Sequence, residues 1–232
     1  MASRSKRPVL RRSVKMTRSS RFTSRFAIRD PGSTTYFGAI ETAEEFGKRG
    51  YQEAWQRGWS RALKKVVMGD GSEWIWNQAQ LHFPGATQIL DLYHAREHLW
   101  ELARQLFPND EALQNRWMMV HRDWLDNGKI KKLVASLRSL QTSLSGELAE
   151  KFRIEAEYFR RNALRMRYPK FRRQHLFVGT GVIEAGCKTV IGSRCKQSGM
   201  FWTVRGANAI LALRCCYLNG RFEDYWATRQ AA

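Results

Sequence analysis

Between residues 65 and 93 the chain alternates a short apolar run, a helical stretch and a second short apolar run. Residues 65–70 read as a buried strand that ends on the carboxylate of Asp70. Residues 72–83 read as a short helix, Pro84-Gly85 as a break, and residues 86–93 as a second strand. Strand, helix and strand at this spacing make a βαβ unit, which requires parallel pairing and a right-handed crossover. Asp70 then lies at the carboxyl end of a parallel strand, where open α/β sheets gather their ligands. The local alternative is structural, because Asp-Gly after a strand is a common turn into a helix.

The flanks of this unit differ in kind. From residue 95 to residue 175 the pattern is helical. Leu99, Leu102 and Leu106 mark one face, and Leu113, Trp117, Val120 and Trp124 the next. Leu133, Leu137, Leu140 and Leu144 follow, then Phe152, Ala156 and Phe159. Pro108-Asn109, Asn127-Gly128 and Ser145-Gly146 separate these helices, and Tyr168-Pro169 is expected to end the last. Such leucine rows predict bundle core. Upstream, Asp30-Pro31-Gly32-Ser33 is a turn and residues 34–40 a strand. Thr42 and Glu45 have capping-box spacing for a helix whose Phe46, Tyr51, Trp55, Trp59 and Leu63 fall near one face. Downstream, Gly179-Thr180-Gly181 opens a helix with Glu184 in its first turn or two. The apolar residues 206–216 are expected to pack that helix onto the sheet.

The formal net charge is +19, which points to a polyanionic partner. Residues 1–29 hold ten Lys or Arg and no acid, and lack apolar periodicity, so disorder is expected there. Three readings of this arm stand side by side: a DNA-contacting tail, an organellar transit peptide, and a segment that is not native coding sequence. No run approaches the roughly 20 apolar residues that cross a bilayer, and no apolar signal core follows the N-terminus. Cys187, Cys195, Cys215 and Cys216 form no paired C-x-x-C set, which argues against a structural zinc and for free thiols in a reducing cytosol.

Asp70 and Glu184 stand 114 positions apart. Carboxylates at a strand tip and on a distant helix are what a two-metal phosphodiester site needs. Hard oxygen ligands suit Mg²⁺, and two ions about 3.5–4 Å apart clamp the attacking and leaving oxygens. Glu184 has a plainer reading too, as an acid favoured by a helix N-terminus. Lys188, four residues on, can pair with it or reach a phosphate. Asp91 and His94 close the second strand, and His94 is either a satisfied structural residue or a contact to a nucleotide. Lys188, Arg194, Lys196 and Arg205 give either a solvated face or a phosphate-binding one.

In this order, the segments resemble the Kra-type family of bacterial insertion-sequence transposases, which carry an Asp-Asp-Glu site on a ribonuclease H-like fold. The resemblance rests on Arg29-Asp30-Pro31-Gly32-Ser33-Thr34-Thr35-Tyr36, Gly69-Asp70-Gly71, Trp74-Ile75-Trp76-Asn77 and Phe83-Pro84-Gly85-Ala86. Ile89-Leu90-Asp91-Leu92-Tyr93-His94, Gly181-Val182-Ile183-Glu184-Ala185, Lys196-Gln197-Ser198-Gly199-Met200 and Gly206-Ala207-Asn208-Ala209-Ile210-Leu211 extend it to the C-terminus. It implies that Asp70 and Glu184 are the second and third catalytic acids and hold Mg²⁺ or Mn²⁺ at a two-metal site. Asp91 and His94 would be the D-x-x-H pair, placed at the DNA with Lys188, Arg194, Lys196 and Arg205.

The implied partners are transposon-end and target DNA, with a homo-oligomer as the assembly, in the bacterial cytoplasm at the nucleoid and away from membranes. The implied division is a basic arm (1–28), a partial core (29–94), a helical insertion (95–175) and a return to the core (176–232). The family's first Asp, on its first strand, has no counterpart, since Asp30 is the only acid before Glu41 and sits in a turn. The expected fold class is therefore α/β: an incomplete ribonuclease H-like parallel sheet with a large all-helical insertion. The expected protein is an N-terminally truncated transposase that cannot cut DNA alone. The alternatives are a non-enzymatic DNA-binding or regulatory fragment that pairs with full-length transposase, and a product without function. If the family reading holds, the carboxyl groups of Asp70 and Glu184 approach within several Å.

Overall fold

The chain path divides into two units, one of residues 1–65, 77–85 and 181–232, the other of residues 66–76 and 86–180. The computed structural model describes residues 14–17, 34–179 and 181–230. It is an α/β protein, 69% helical, with a small parallel strand pair.

The first unit opens on β1 (Val14–Thr17), antiparallel to β2 (Thr34–Phe37) with Val14 opposite Phe37 and Thr17 opposite Thr34. Four residues of the supposedly disordered arm are thus paired as a strand. The rest of residues 1–28 and the turn at Asp30 to Ser33 lie outside the described residues. α1 (Ala43–Gln56) starts on the expected capping box: Thr42 accepts from the Glu45 N–H, and the Glu45 carboxylate accepts from the Thr42 N–H. Its buried face is Ala43, Phe46, Gly47, Gly50 and Ala54, with Glu53. Of the expected aromatic stripe only Phe46 lies on that face. Gly58, at φ +83°, ends the helix after one more turn of chain, so Trp59 sits in a 3₁₀ turn and Leu63 is fully exposed.

β3 (Val66–Gly69) leads through α2 (Glu73–His82) to β4 (Thr87–Leu90), and the two strands pair in parallel with Val66 opposite Thr87 and Gly69 opposite Leu90. The second strand is shorter than expected because Asp91 caps a helix, so Leu92, Tyr93 and His94 are helical. That helix is α3 (Leu92–Leu106), followed by α4 (Glu111–Asp126), α5 (Ile130–Ser143) and α6 (Gly146–Arg161), with the expected breaks between them. Leu99, Leu102, Leu125, Leu133, Leu137, Phe152 and Phe159 are wholly buried in one cluster that also takes in Ile89 and Leu90 of β4. Each such side chain stabilises the fold by about 1.5–3 kcal/mol relative to exposure. The expectation that Tyr168-Pro169 ends a helix is reversed. They open α7 (Tyr168–Arg173), where a proline in the first turn lacks only an N–H that has no helical partner anyway.

Back in the first unit come α8 (Gly181–Cys187), a π-helical turn (Lys188–Gly192), the short α9 (Ser193–Cys195), α10 (Val204–Leu218) and α11 (Phe222–Gln230). Val190, Ile191, Leu211 and Cys215 bury the ring of Tyr36, so α10 packs on β2. Two asparagines of this region hold the backbone of β2 and of the segment just after it. Asn219 accepts from the Tyr36 N–H at 2.7 Å and donates to the Tyr36 carbonyl at 2.9 Å. Asn208 does the same for Ile40, at 2.7 and 3.1 Å. Among the described residues, no helix is long and apolar enough to cross a membrane.

Candidate functional site

Asp70 and Asp91 each follow directly on the last residues of the parallel pair, Gly69 and Leu90, so they leave the sheet at the same level. The Asp91 N–H completes that level by donating to the Gly69 carbonyl at 2.8 Å. Their environments then diverge. Asp70 is half-buried, and one carboxylate oxygen accepts from the Ser72 N–H at 2.9 Å, a local turn that leads into α2. Gly71 between them has φ +96°, a conformation that a side chain would strain.

Asp91 is 2% exposed, and its Oδ1 accepts from the N–H groups of Tyr93 and His94 at 2.6 and 3.2 Å. This is an N-cap: it satisfies two of the orphan donors at the start of α3 and places negative charge at the helix's positive end. The Asp91 carboxylate, expected at the DNA, is here occupied as the cap of α3.

His94 lies in the first turn of α3, with 29% of its side chain exposed and Nδ1 3.1 Å from a Glu97 carboxylate oxygen. One turn further, His98 meets the His94 ring edge-on at 5.0 Å between centroids. His98 Nδ1 donates to buried Glu155 at 2.8 Å, and its ring stacks on Tyr158 at 4.2 Å. The Tyr158 hydroxyl in turn donates to the Asp70 carbonyl at 3.1 Å. Burial, and after it the carboxylates of Glu155, Asp70 and Asp91, push the Tyr158 phenol well above its ordinary value, so it stays a donor. His98, Glu155 and Tyr158 were not among the residues expected from sequence. The His94–His98 spacing on one helix face was a usable signal. Glu155 and Tyr158 offered none, since only the fold brings α6 to the strand ends.

Tyr93, beside these groups, is half-exposed, and the Arg96 guanidinium lies 5.5 Å from its ring centroid. A Cβ at Gly179 would come within 2.5 Å of that ring, which explains the glycine where the chain leaves for α8.

The remaining candidates belong to the first unit. Glu184 lies on α8 as expected, and its side chain is outside the described residues. Lys188, Arg194, Lys196 and Arg205 are all exposed: Lys188 opens the π-helical turn, Arg194 and Lys196 sit in and just after α9, and Arg205 is in the first turn of α10. The π turn was not legible in sequence. Arg214 braces it by donating to the carbonyls of Thr189 and Val190 and to the Ser193 hydroxyl.

Asp70 by itself is a hard oxygen donor at an open strand end, of the kind Mg²⁺ takes. Among the described residues, no group of three or more His, Cys, Asp or Glu could hold a metal ion. The chain matches no family model, no curated protein and no solved structure.

Proposed function

We propose that this chain is part of a DNA transposase of the Asp-Asp-Glu class, with Asp70 and Glu184 as two of its acids. The observation that carries the proposal is Asp70 itself: a half-buried carboxylate directly after a parallel strand, beside a second strand whose end leads into His94. The basic composition and the exposed Lys188, Arg194, Lys196 and Arg205 support DNA as the partner. On this reading the β3–β4 pair and α2 belong to a ribonuclease H-like core, and residues 95–175 are its helical insertion.

Asp70 and Glu184 would hold Mg²⁺ or Mn²⁺, which when bound would activate water and stabilise the leaving oxygen at a transposon end. The chain's own contribution is to fix the Asp70 turn, to place His94 in the first turn of the helix that follows the neighbouring strand, and to draw phosphates to the basic residues after Glu184. Within these 232 residues the first acid has no counterpart, so this polypeptide is expected to bind DNA without cutting it. That makes a DNA-binding fragment acting with a full-length relative the second reading.

The test is a titration of Mn²⁺ into isotope-labelled protein with DNA present. Amide signals near Asp70 and near Glu184 should broaden together at the same metal concentration. Broadening at only one of them, or at neither, refutes a shared metal site. DNA retention that falls steeply with salt, without cleavage, would favour the second reading.

A further inference from the structure

We infer that Tyr158, on the α6 helix of the insertion, is a positioning residue for the Asp70 turn. Its hydroxyl donates to the Asp70 carbonyl from 88 positions away in sequence. Its ring also lies so close over Gly71 that a Cβ there would stand 2.5 Å from the hydroxyl oxygen and 2.7 Å from Cε2. The turn is therefore held on both sides. Tyr158 fixes the peptide carbonyl, while the Ser72 N–H fixes one oxygen of the carboxylate.

Tyr158 is itself immobilised. The His98 ring stacks on it with planes 17° apart, and Glu155, one turn earlier on α6, orients His98 through Nδ1. Glu155 is 7% exposed, so the backing is built into the packed interior. A side chain with two rotatable bonds, stacked on a ring that a charge-assisted hydrogen bond itself holds in place, is a rigid post. It ties the geometry of Asp70 to the helical insertion, which then does more than enlarge the domain. That consequence for catalysis rests on the reading of Asp70 as a functional carboxylate.

Tyr158→Phe keeps the ring and removes the hydroxyl. In the full chain, hydrogen exchange at the amides of Gly71 and Ser72 should quicken by about three- to tenfold, the range expected when one hydrogen bond is removed. Exchange in the buried parts of α3 and α5 should stay unchanged. In a parallel Mn²⁺ titration, half-broadening of the same two amides should need several-fold more metal. Leu125→Ala, on the buried face of α4, serves as the packing control and should lower global stability without singling out residues 71 and 72.

Unchanged exchange at Gly71 and Ser72 in Tyr158→Phe overturns the positioning role. So does a Leu125→Ala variant that reproduces the same local pattern. If the unsubstituted chain shows no Mn²⁺ broadening near Asp70, the transposase reading fails, while the exchange comparison still decides for Tyr158.

Discussion

Replacing Asp91 separates two jobs that one carboxylate could do. In the structure it caps α3 through two backbone N–H groups and sits, 2% exposed, at the helix's positive end. Asp91→Ala removes both contributions. Loss of the cap costs about 1–2 kcal/mol, and loss of the charge at the helix terminus about 0.5–1 kcal/mol more. The sum is roughly 1.5–3 kcal/mol. For a unit of this size that lowers the midpoint of thermal unfolding by roughly 6–15 °C. Asp91→Asn keeps an acceptor at the same place and should lose only the charge contribution, about 0.5–1 kcal/mol. The assay is urea unfolding of the full chain, followed by amide signals from α3 and α5 so that this unit reports alone. If asparagine proves as damaging as alanine, the cap is not what Asp91 supplies, and a role for its negative charge must be restored.

His121 gives a pH signature. It is buried, donates from Nδ1 to the Trp117 carbonyl and accepts from the Ser136 hydroxyl at Nε2. Burial holds its pKa below the ordinary 6.5. The unfolded chain therefore binds a proton that the folded chain refuses, so stability is full above about 6.5 and falls as the pH drops below it. Urea midpoints taken near pH 8 and near pH 5 should differ less in His121→Asn than in the unsubstituted protein, and equal differences count against the argument. Asn219→Ala strips two hydrogen bonds from Tyr36 and should cost about 1–3 kcal/mol, read as faster exchange at the Tyr36 amide. Changing Lys188, Arg194, Lys196 and Arg205 together to alanine should flatten the salt dependence of DNA binding, by about 0.9 in log–log slope for each phosphate no longer neutralised. An unaltered slope removes these four from the DNA surface.

Elements with strong local signals were legible. The Thr42–Glu45 capping box, the apolar runs of β3 and β4, and the apolar rows of α3, α5 and α6 each follow from short-range chemistry, and they stand where the residues predicted them. The row expected for α4 does not: Leu113 and Val120 are exposed, and Trp117, Met118, His121 and Leu125 form the buried face. What failed depends on distant partners. Trp55 and Leu63 match a helical period with Phe46, yet they are exposed, because the face that packs is set by what lies opposite it: Gly50 against the Phe37 ring, and Gly47 against Gln78. Asp91 looked like a strand-end functional acid, but a cap and a strand end share the same residue preferences. Asp70 was visible as a turn carboxylate from Gly69-Asp70-Gly71 alone. Its support by Tyr158, His98 and Glu155 was not, since no local rule links positions 70 and 158.

A side-chain amide carries a donor and an acceptor much as a peptide unit does. By pairing with the N–H and carbonyl of Tyr36, Asn219 counterfeits one residue of a neighbouring strand, and Asn208 pairs in the same way with Ile40, three residues past the end of β2. An open strand edge recruits other chains into fibres or unwanted dimers. Here a recruit would first have to evict the Asn219 amide, at the end of a helix that also buries Leu211 and Cys215. The counterfeit costs the chain no extra strand, and it puts resistance to edge-to-edge polymerisation under the control of α10. Anything that unwinds the end of that helix converts a sealed edge into an adhesive one.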